Sequence, residues 1–177
     1  LEEAEVKSAQ ALFILLDTPG GLLSSTKEIV KLLLNSPIPI VVYVSPSGAS
    51  ATSAGVFITL AANIAAMAPG TSIGAAHPVS LTPGGKQPEK KEQDPTKNLK
   101  SEKTTEPEGK SDQDIMGEKI ENYASSFIES IAEHRGRTVE WAIAAVRNSD
   151  SITAHEASAL QIINLITPNL NTHQTQT

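Results

Sequence analysis

The sequence predicts an α/β domain built on a parallel sheet, and three observations carry that expectation. Ala11-Leu12-Phe13-Ile14-Leu15-Leu16 is a continuous apolar run cut off by Asp17 and a Pro19-Gly20-Gly21 turn, the pattern of a strand covered on both faces. Ile38 to Val44 is a second such run, β-branched apart from Pro39 and Tyr43, with Pro39 marking its start. Helix-period segments alternate with these runs, and the order strand, helix, strand, helix, strand is that of an α/β fold.

Between the two runs, Ser25-Thr26-Lys27-Glu28 has the spacing of a capping box, and Ile29, Leu32 and Leu33 follow at i, i+3 and i+4. A helix is expected there, closing at Asn35-Ser36-Pro37. After the second run comes Gly48-Ala49-Ser50-Ala51-Thr52-Ser53-Ala54-Gly55, then the helix-like Val56-Phe57-Ile58-Thr59-Leu60 and a short strand at Ile64-Ala65-Ala66-Met67. From Leu81 to Asp114 the chain is almost devoid of apolar residues and rich in both charges. Such a segment cannot bury enough apolar area to offset the entropy of ordering, so a disordered charged insertion is expected at about 81–114. Periodicity returns at Ile115, where Met116, Ile120, Tyr123, Phe127, Ile128 and Ile131 make the apolar stripe of a long helix ending near Arg135-Gly136. A helix from Thr138 to Val146 follows. Thr153-Ala154-His155-Glu156 has capping-box spacing before a short helix and a last strand over Ile162–Ile166, and the tail from Pro168 is polar and expected to fray.

Composition narrows the function. A chain of 177 residues suits one domain. Its net charge of −6 and aromatic content of 3% argue against nucleic-acid binding. The lack of cysteine removes disulfides, thiolate catalysis and cysteine-ligated zinc. The four His lack the short spacing with an acid that zinc hydrolases use, and the glycine-rich stretches match no phosphate loop, so neither metal nor cofactor is expected. No apolar run approaches 18 residues and the first residues do not read as a signal peptide, so the chain as given is expected to be soluble. It opens without Met on what reads as the middle of a helix, the expectation for a fragment of a longer protein.

Two turns carry the chemistry. Ser53 lies among residues with almost no side chain at the start of a helix, where the dipole and free N–H groups favour an oxygen that becomes an anion. In a parallel sheet the turn after the first strand and the turn after the second emerge at one edge, where α/β ligand sites lie. The N–H groups of Gly20 or Gly21 together with Ala54 are then placed to form an oxyanion hole around a carbonyl attacked by Ser53. Close packing of small residues accounts for either motif alone; the pairing is what points to catalysis.

Asp17-Thr18-Pro19-Gly20-Gly21, Ser53-Ala54-Gly55, Met67-Ala68-Pro69-Gly70-Thr71-Ser72-Ile73-Gly74-Ala75 and Lys119-Ile120-Glu121-Asn122-Tyr123 together resemble the protease domain of NfeD-type membrane-bound serine proteases, relatives of ClpP and of signal peptide peptidase SppA. The resemblance runs from about Ala11 to Ile166. It implies a ClpP/crotonase-like spiral of ββα units, one serine protease domain over 1–177 whose first strand is missing, and a catalytic Ser53–Lys119 dyad. It implies as substrate a polypeptide with an apolar segment in a membrane-associated protein, a stomatin-like partner, a homodimer, and a full-length membrane-associated protein with this domain on the extracytoplasmic side. Two departures stand out: Gln161 where glycine commonly ends a helix, and Asn164 in place of a usual acid.

The base is contested on chemical grounds. A lysine of ordinary pKa, about 10.4, is neutral in roughly one molecule in 2,500 at pH 7, so a lysine base has to be desolvated. His77, 24 residues after Ser53, needs no such shift and is the alternative base. Its triad partner would be Asp150, in the polar turn Asn148-Ser149-Asp150-Ser151. A non-catalytic scaffold that binds apolar peptide, and a crotonase-type acyl-thioester enzyme, are the competing functions.

Overall fold

The structure, a computed structural model, describes residues 2–78 and 112–169. In chain order it consists of α1 (Glu2–Val6), β1 (Leu12–Leu16), α2 (Leu23–Leu34), β2 (Ile40–Val44), β3 (Ser50–Thr52), α3 (Ala54–Ala61), β4 (Ile64–Met67), β5 (Ser72–Gly74), α4 (Asp112–Arg135), α5 (Val139–Arg147), β6 (Ser151–Thr153), α6 (Ala154–Ala159) and β7 (Leu165–Ile166). Four strands form a wholly parallel sheet in the order β1-β2-β4-β7. A smaller sheet, β3-β5-β6, has β3 and β5 parallel and β6 antiparallel.

The expected α/β fold is therefore present, and β2 is buried along its whole length, as its β-branched run requires. The first strand differs from expectation. β1 buries Leu12, Ile14 and Leu16 partly against the core, whereas Phe13 and Leu15 are 55% and 67% exposed. It is an edge strand, and no described element covers its second face. The neighbouring β2 positions on that face are closed: Tyr43 is buried and its hydroxyl donates to the Thr167 carbonyl at 2.8 Å.

The core lies on the other side of the large sheet, between Ile40, Val42, Val44, Ala65 and Met67 and the helices α3, α4 and α5. All eight residues of α3 are buried, the mark of a helix that is apolar all round. Its carboxyl end is fastened by two arginines. Arg137, itself buried, donates from Nε to Leu60 O (3.1 Å), from Nη1 to Ile162 O (2.7 Å), and from Nη2 to Ala62 O (3.1 Å) and Asn164 Oδ1 (3.2 Å); Arg135 Nε donates to Ala61 O (2.8 Å). Burial, helped by the neighbouring Arg135 charge, pushes the Arg137 pKa down to about 10, so it remains a cation at neutral pH. A cation among the last carbonyls of a helix is favourable, and the carbonyls replace the water the guanidinium has lost.

Four helical expectations are corrected in detail. α2 begins at Leu23, so Ser25 and Glu28 form no capping box: the N-cap is Leu22 with no side-chain cap, and Thr26 Oγ1 donates back to Leu22 O at 2.9 Å. Its buried stripe is Thr26, Val30 and Leu33, while Ile29 and Leu32 are exposed, because the chain enters the helix directly from the Gly20-Gly21 turn and the buried face is set by α3. α4 begins at Asp112, before Ile115, so residues 112–114 of the expected insertion are helical; the remainder of that segment lies outside the described residues, as does the tail from residue 170. Only the second half of the expected α4 stripe is in the core. Ile128 and Ile131 are buried with Ala124, Ser125 and Ala132, whereas Met116 and Tyr123 are exposed.

The capping box at Thr153–Glu156 is formed as expected. The last strand is shorter than the apolar run, because Ile162 and Ile163 turn into the core and both direct their N–H groups to Ala157 O. Ile162 N to Ala157 O (2.8 Å) and Gln161 N to Ser158 O (3.1 Å) close α6 with a Schellman motif. Gln161 is its left-handed residue, at φ 58°, which explains why glycine suits that position. Gln161→Gly is expected to raise stability by about 1 kcal/mol, seen as a higher urea midpoint with an unchanged slope. Asn164 ties the last strand to its neighbours. Its Oδ1 accepts from Ala65 N at 2.8 Å as well as from Arg137, while its own N–H bonds Ala65 O.

Candidate active site

The two glycine- and serine-bearing turns meet through backbone hydrogen bonds. Thr18 N donates to Ser50 O (2.8 Å), Thr52 N donates to Thr18 O (3.0 Å), and Asp17 Oδ1 accepts from Ser50 N (3.0 Å). The segment after β1 is thus stitched to β3 by a parallel bridge between Thr18 and Ala51. Gly55 makes this approach possible, since a Cβ there would lie 2.8 Å from Thr18 Cγ2 and 3.2 Å from Ala51 Cβ.

Ser53 is the N-cap of α3 at φ 54°, ψ −110°, and its side chain caps nothing. Its N–H donates to Gly74 O (3.1 Å) and its carbonyl accepts from Val56 N (3.0 Å), so the backbone is held from both sides and the hydroxyl is left over. A non-glycine residue in such a conformation carries about 1–3 kcal/mol of strain and persists only where its surroundings over-determine it. Gly74, which supplies that carbonyl, sits at φ 148°, and a Cβ there would collide with Asp150 O and the Ser151 backbone. Only glycine lets β5 and β6 come together behind Ser53.

Gly20 and Gly21 play different parts. Gly20 is at φ 136°, a Cβ there would lie 2.8 Å from Ser53 Cβ and 3.2 Å from its Oγ, and its N–H is engaged by Thr18 Oγ1 at 3.1 Å. The Gly21 N–H has no hydrogen-bond partner among the described residues, and neither does that of Ala54, in the first turn of α3. Of the expected oxyanion donors, Gly21 and Ala54 are therefore open, and Gly20 is the close-approach residue.

These groups border a cavity of about 790 Å³, lined by Pro19, Gly20, Gly21, Leu22, Ser53, Ala54 and Phe57, by Leu23, Ser24 and Thr26 of α2, by Ala76 and Pro78, and by Met116, Ile120 and Ala124 of α4. The N-termini of α2 and α3 both open onto it, which places two positive dipole ends where negative charge would develop. Most of the wall is aliphatic or aromatic. The apolar period of α4 assigns Met116 and Ile120 to a core stripe; their i, i+4, i+8 spacing with Ala124 instead marks a wall. Thr18, whose hydroxyl fixes Gly20, is legible in the sequence only as a threonine two residues before a glycine, a pattern of side-chain-stabilised turns.

Lys119 lies on α4, between wall residues Met116 and Ile120, and is exposed. His77 is exposed between wall residues Ala76 and Pro78, and its Nδ1 donates to Val146 O at 3.0 Å. The partner of His77 is thus a backbone carbonyl rather than the Asp150 carboxylate expected for a triad, and the neutral ring bonded this way keeps Nε2 as an acceptor.

The fold is that of the ClpP-like α/β class. The chain belongs to the family of NfeD1b N-terminal domains, whose model matches residues 1–111. It is 34% identical over 171 residues to the membrane-bound protease PH1510 of Pyrococcus horikoshii, covering 95% of this chain and 32% of that protein. It is 43% identical over 74 residues to the membrane protein NfeD1b of Bacillus subtilis, covering 41% of this chain and 16% of that one. The chain thus spans about a third or less of the relatives it matches. Among solved structures, the 1510-N membrane-bound stomatin-specific protease superimposes with a TM-score of 0.74 at 33% identity, both as a lysine-to-alanine mutant in complex with a substrate peptide and as a serine-to-alanine mutant. The match covers 96% of this chain and 66% or 70% of those chains.

Proposed function

We propose that this domain is an endopeptidase in which Ser53 is the nucleophile, Lys119 the general base, and the N–H groups of Gly21 and Ala54 the oxyanion hole. The observation that carries the reading is Ser53 itself: a strained serine whose hydroxyl, like the N–H groups of Gly21 and Ala54, has no partner among the described residues, on the wall of an apolar cavity. Lys119 removes the Ser53 proton as Oγ attacks the substrate carbonyl, and the resulting oxyanion accepts hydrogen bonds from Gly21 and Ala54, each worth about 3 kcal/mol in the transition state. The lysine then protonates the leaving amine, which departs and leaves an acyl ester on Ser53. Water, deprotonated by the same lysine, cleaves the ester, and the proton returns to Ser53.

The relative's solved variants replace one serine and one lysine, which supports a pair of these types. The two replaced residues lie closer in sequence than Ser53 and Lys119 do, the direction expected when the charged segment at about 81–114 is an insertion between them. Desolvation of Lys119 comes from the substrate: an apolar segment laid in the cavity covers the Met116–Ile120 turn and removes water from the base. The relatives' names support extending the reading to a membrane-bound whole protein with a stomatin-like substrate. We extend the same reading to a homodimer with this domain on the extracytoplasmic side.

His77 supports a second reading, since its Nδ1 is anchored on the Val146 carbonyl and it lies between two residues of the cavity wall. Hydrolysis of an apolar peptide by Lys119→Ala and His77→Ala separates the two. Lys119→Ala is expected to lose about 10³-fold or more in kcat, and His77→Ala to keep most of it. An inactive His77→Ala beside an active Lys119→Ala would make the histidine the base.

A further inference from the structure

α4 changes character at Tyr123. Every buried residue of the helix lies beyond it, at Ala124, Ser125, Ile128, Ile131 and Ala132, whereas Ile115, Met116 and Lys119 on its near side are exposed. The turn that carries Lys119 is therefore where α4 leaves the buried core, and its direction there depends on the contacts of the few residues that reach other elements, Ile120 on the cavity wall among them. Yet a base has to be held within a fraction of an ångström of its hydroxyl, since a 1 Å misplacement costs about 100-fold in rate.

One described contact chain bridges this gap. Phe57, one turn beyond Ser53 on α3 and part of the cavity wall, stacks on Phe127 with centroids 5.7 Å apart. Phe127 stacks on Tyr123 at 6.1 Å and 16° between planes. The ladder ends on α2, where Lys27 Nζ lies 5.6 Å from the centroid of the Tyr123 ring. It thus joins the nucleophile helix, the base-bearing helix and the helix that follows the Gly20-Gly21 turn. A helical side chain covers the turn N-terminal to its own Cα, and for Tyr123, four residues after Lys119, that turn is the one that begins at Lys119.

We propose that Tyr123 is the positioning residue for Lys119: stacked on Phe127 and covered by Lys27, it fixes the direction in which the exposed half of α4 presents the base to Ser53. Tyr123 touches no reacting atom and acts only through Lys119. The proposal rests on the Ser53–Lys119 reading and adds to it a residue whose effect vanishes when the lysine is absent.

A double-mutant cycle on the purified chain tests it, with the pre-steady-state acylation rate by p-nitrophenyl acetate as readout, at a temperature well below the midpoint of every variant. Tyr123→Leu is expected to slow acylation about tenfold or more, and Tyr123→Phe, which keeps the ring, to stay within about twofold of the parent. Lys27→Met, which leaves α4 untouched, is expected to slow it about two- to fivefold. In a Lys119→Ala background, Tyr123→Leu should change the residual rate no further. Parental acylation by Tyr123→Leu overturns the proposal while leaving the dyad in place, and so does an equal loss from Tyr123→Leu with and without Lys119, the outcome of a merely structural role. If Tyr123→Leu does not fold, parental acylation by Lys27→Met overturns it. Parental acylation by Lys119→Ala sinks the dyad reading itself.

Discussion

Ser53→Ala is expected to abolish peptide hydrolysis, with a loss of about 10³-fold or more, while the midpoint of thermal unfolding stays within a few degrees. The hydroxyl makes no hydrogen bond among the described residues, so its removal leaves no buried group unpaired. The φ of 54° and its strain persist, because alanine is no more at ease there than serine. Ser53→Gly separates the two effects. Glycine adopts that conformation freely, so this variant is expected to be as inactive as Ser53→Ala and more stable by about 1 kcal/mol or more, less the entropy that glycine adds to the unfolded chain. Denaturant unfolding of the three proteins checks this. A nucleophile whose replacement both stabilises and inactivates is a stability–activity trade-off located at a single residue.

Gly20→Ala is the second large effect, acting through a clash rather than a lost group. The added Cβ would lie 2.8 Å from Ser53 Cβ and 3.2 Å from Oγ, at a φ of 136° that alanine resists. Either the Pro19-Gly20-Gly21 turn moves, taking the Gly21 N–H with it, or Ser53 moves away from its donors. Both displacements are of the order of 1 Å, and the expected loss in acylation rate is about 100-fold or more, accompanied by roughly 2 kcal/mol or more of destabilisation. Rates measured at a temperature where the variant is fully folded separate the two. Gly21→Ala serves as comparison: its Cβ would sit 3.7 Å from Ala54 Cβ, an ordinary contact, so its fold should be unaffected.

Long-range order was legible in this sequence wherever one period dominated. β2, β4, α3 and α5 follow from apolar runs or stripes, and the Thr153–Glu156 capping box from its spacing. The three-residue strands β3, β5 and β6 had no such signal, being too short for a period to show and, apart from Ile73 and Ile152, made of small and hydroxyl residues. Phe13 and Leu15 read as buried because an apolar run says nothing about whether its strand is central or at an edge. At the site, the Gly20-Gly21 turn was expected to meet Ser53 at the edge of one parallel sheet, whereas Ser53 follows β3 of the smaller sheet, which the Thr18–Ala51 bridge brings alongside. The division of labour between Gly20 and Gly21 was not legible, because it depends on the Thr18 hydroxyl and on a positive φ. Lys119 and His77 are each flanked by cavity-wall residues, which local pattern could not foresee.

The position of the covalent adduct left by a fluorophosphonate probe tests the central claim most directly. Peptide mapping after labelling of the purified chain should find one adduct, on Ser53, forming rapidly in the His77→Ala variant and slowly in Lys119→Ala. Labelling on another residue, or none in the folded parent protein, would contradict the assignment of Ser53 as the nucleophile.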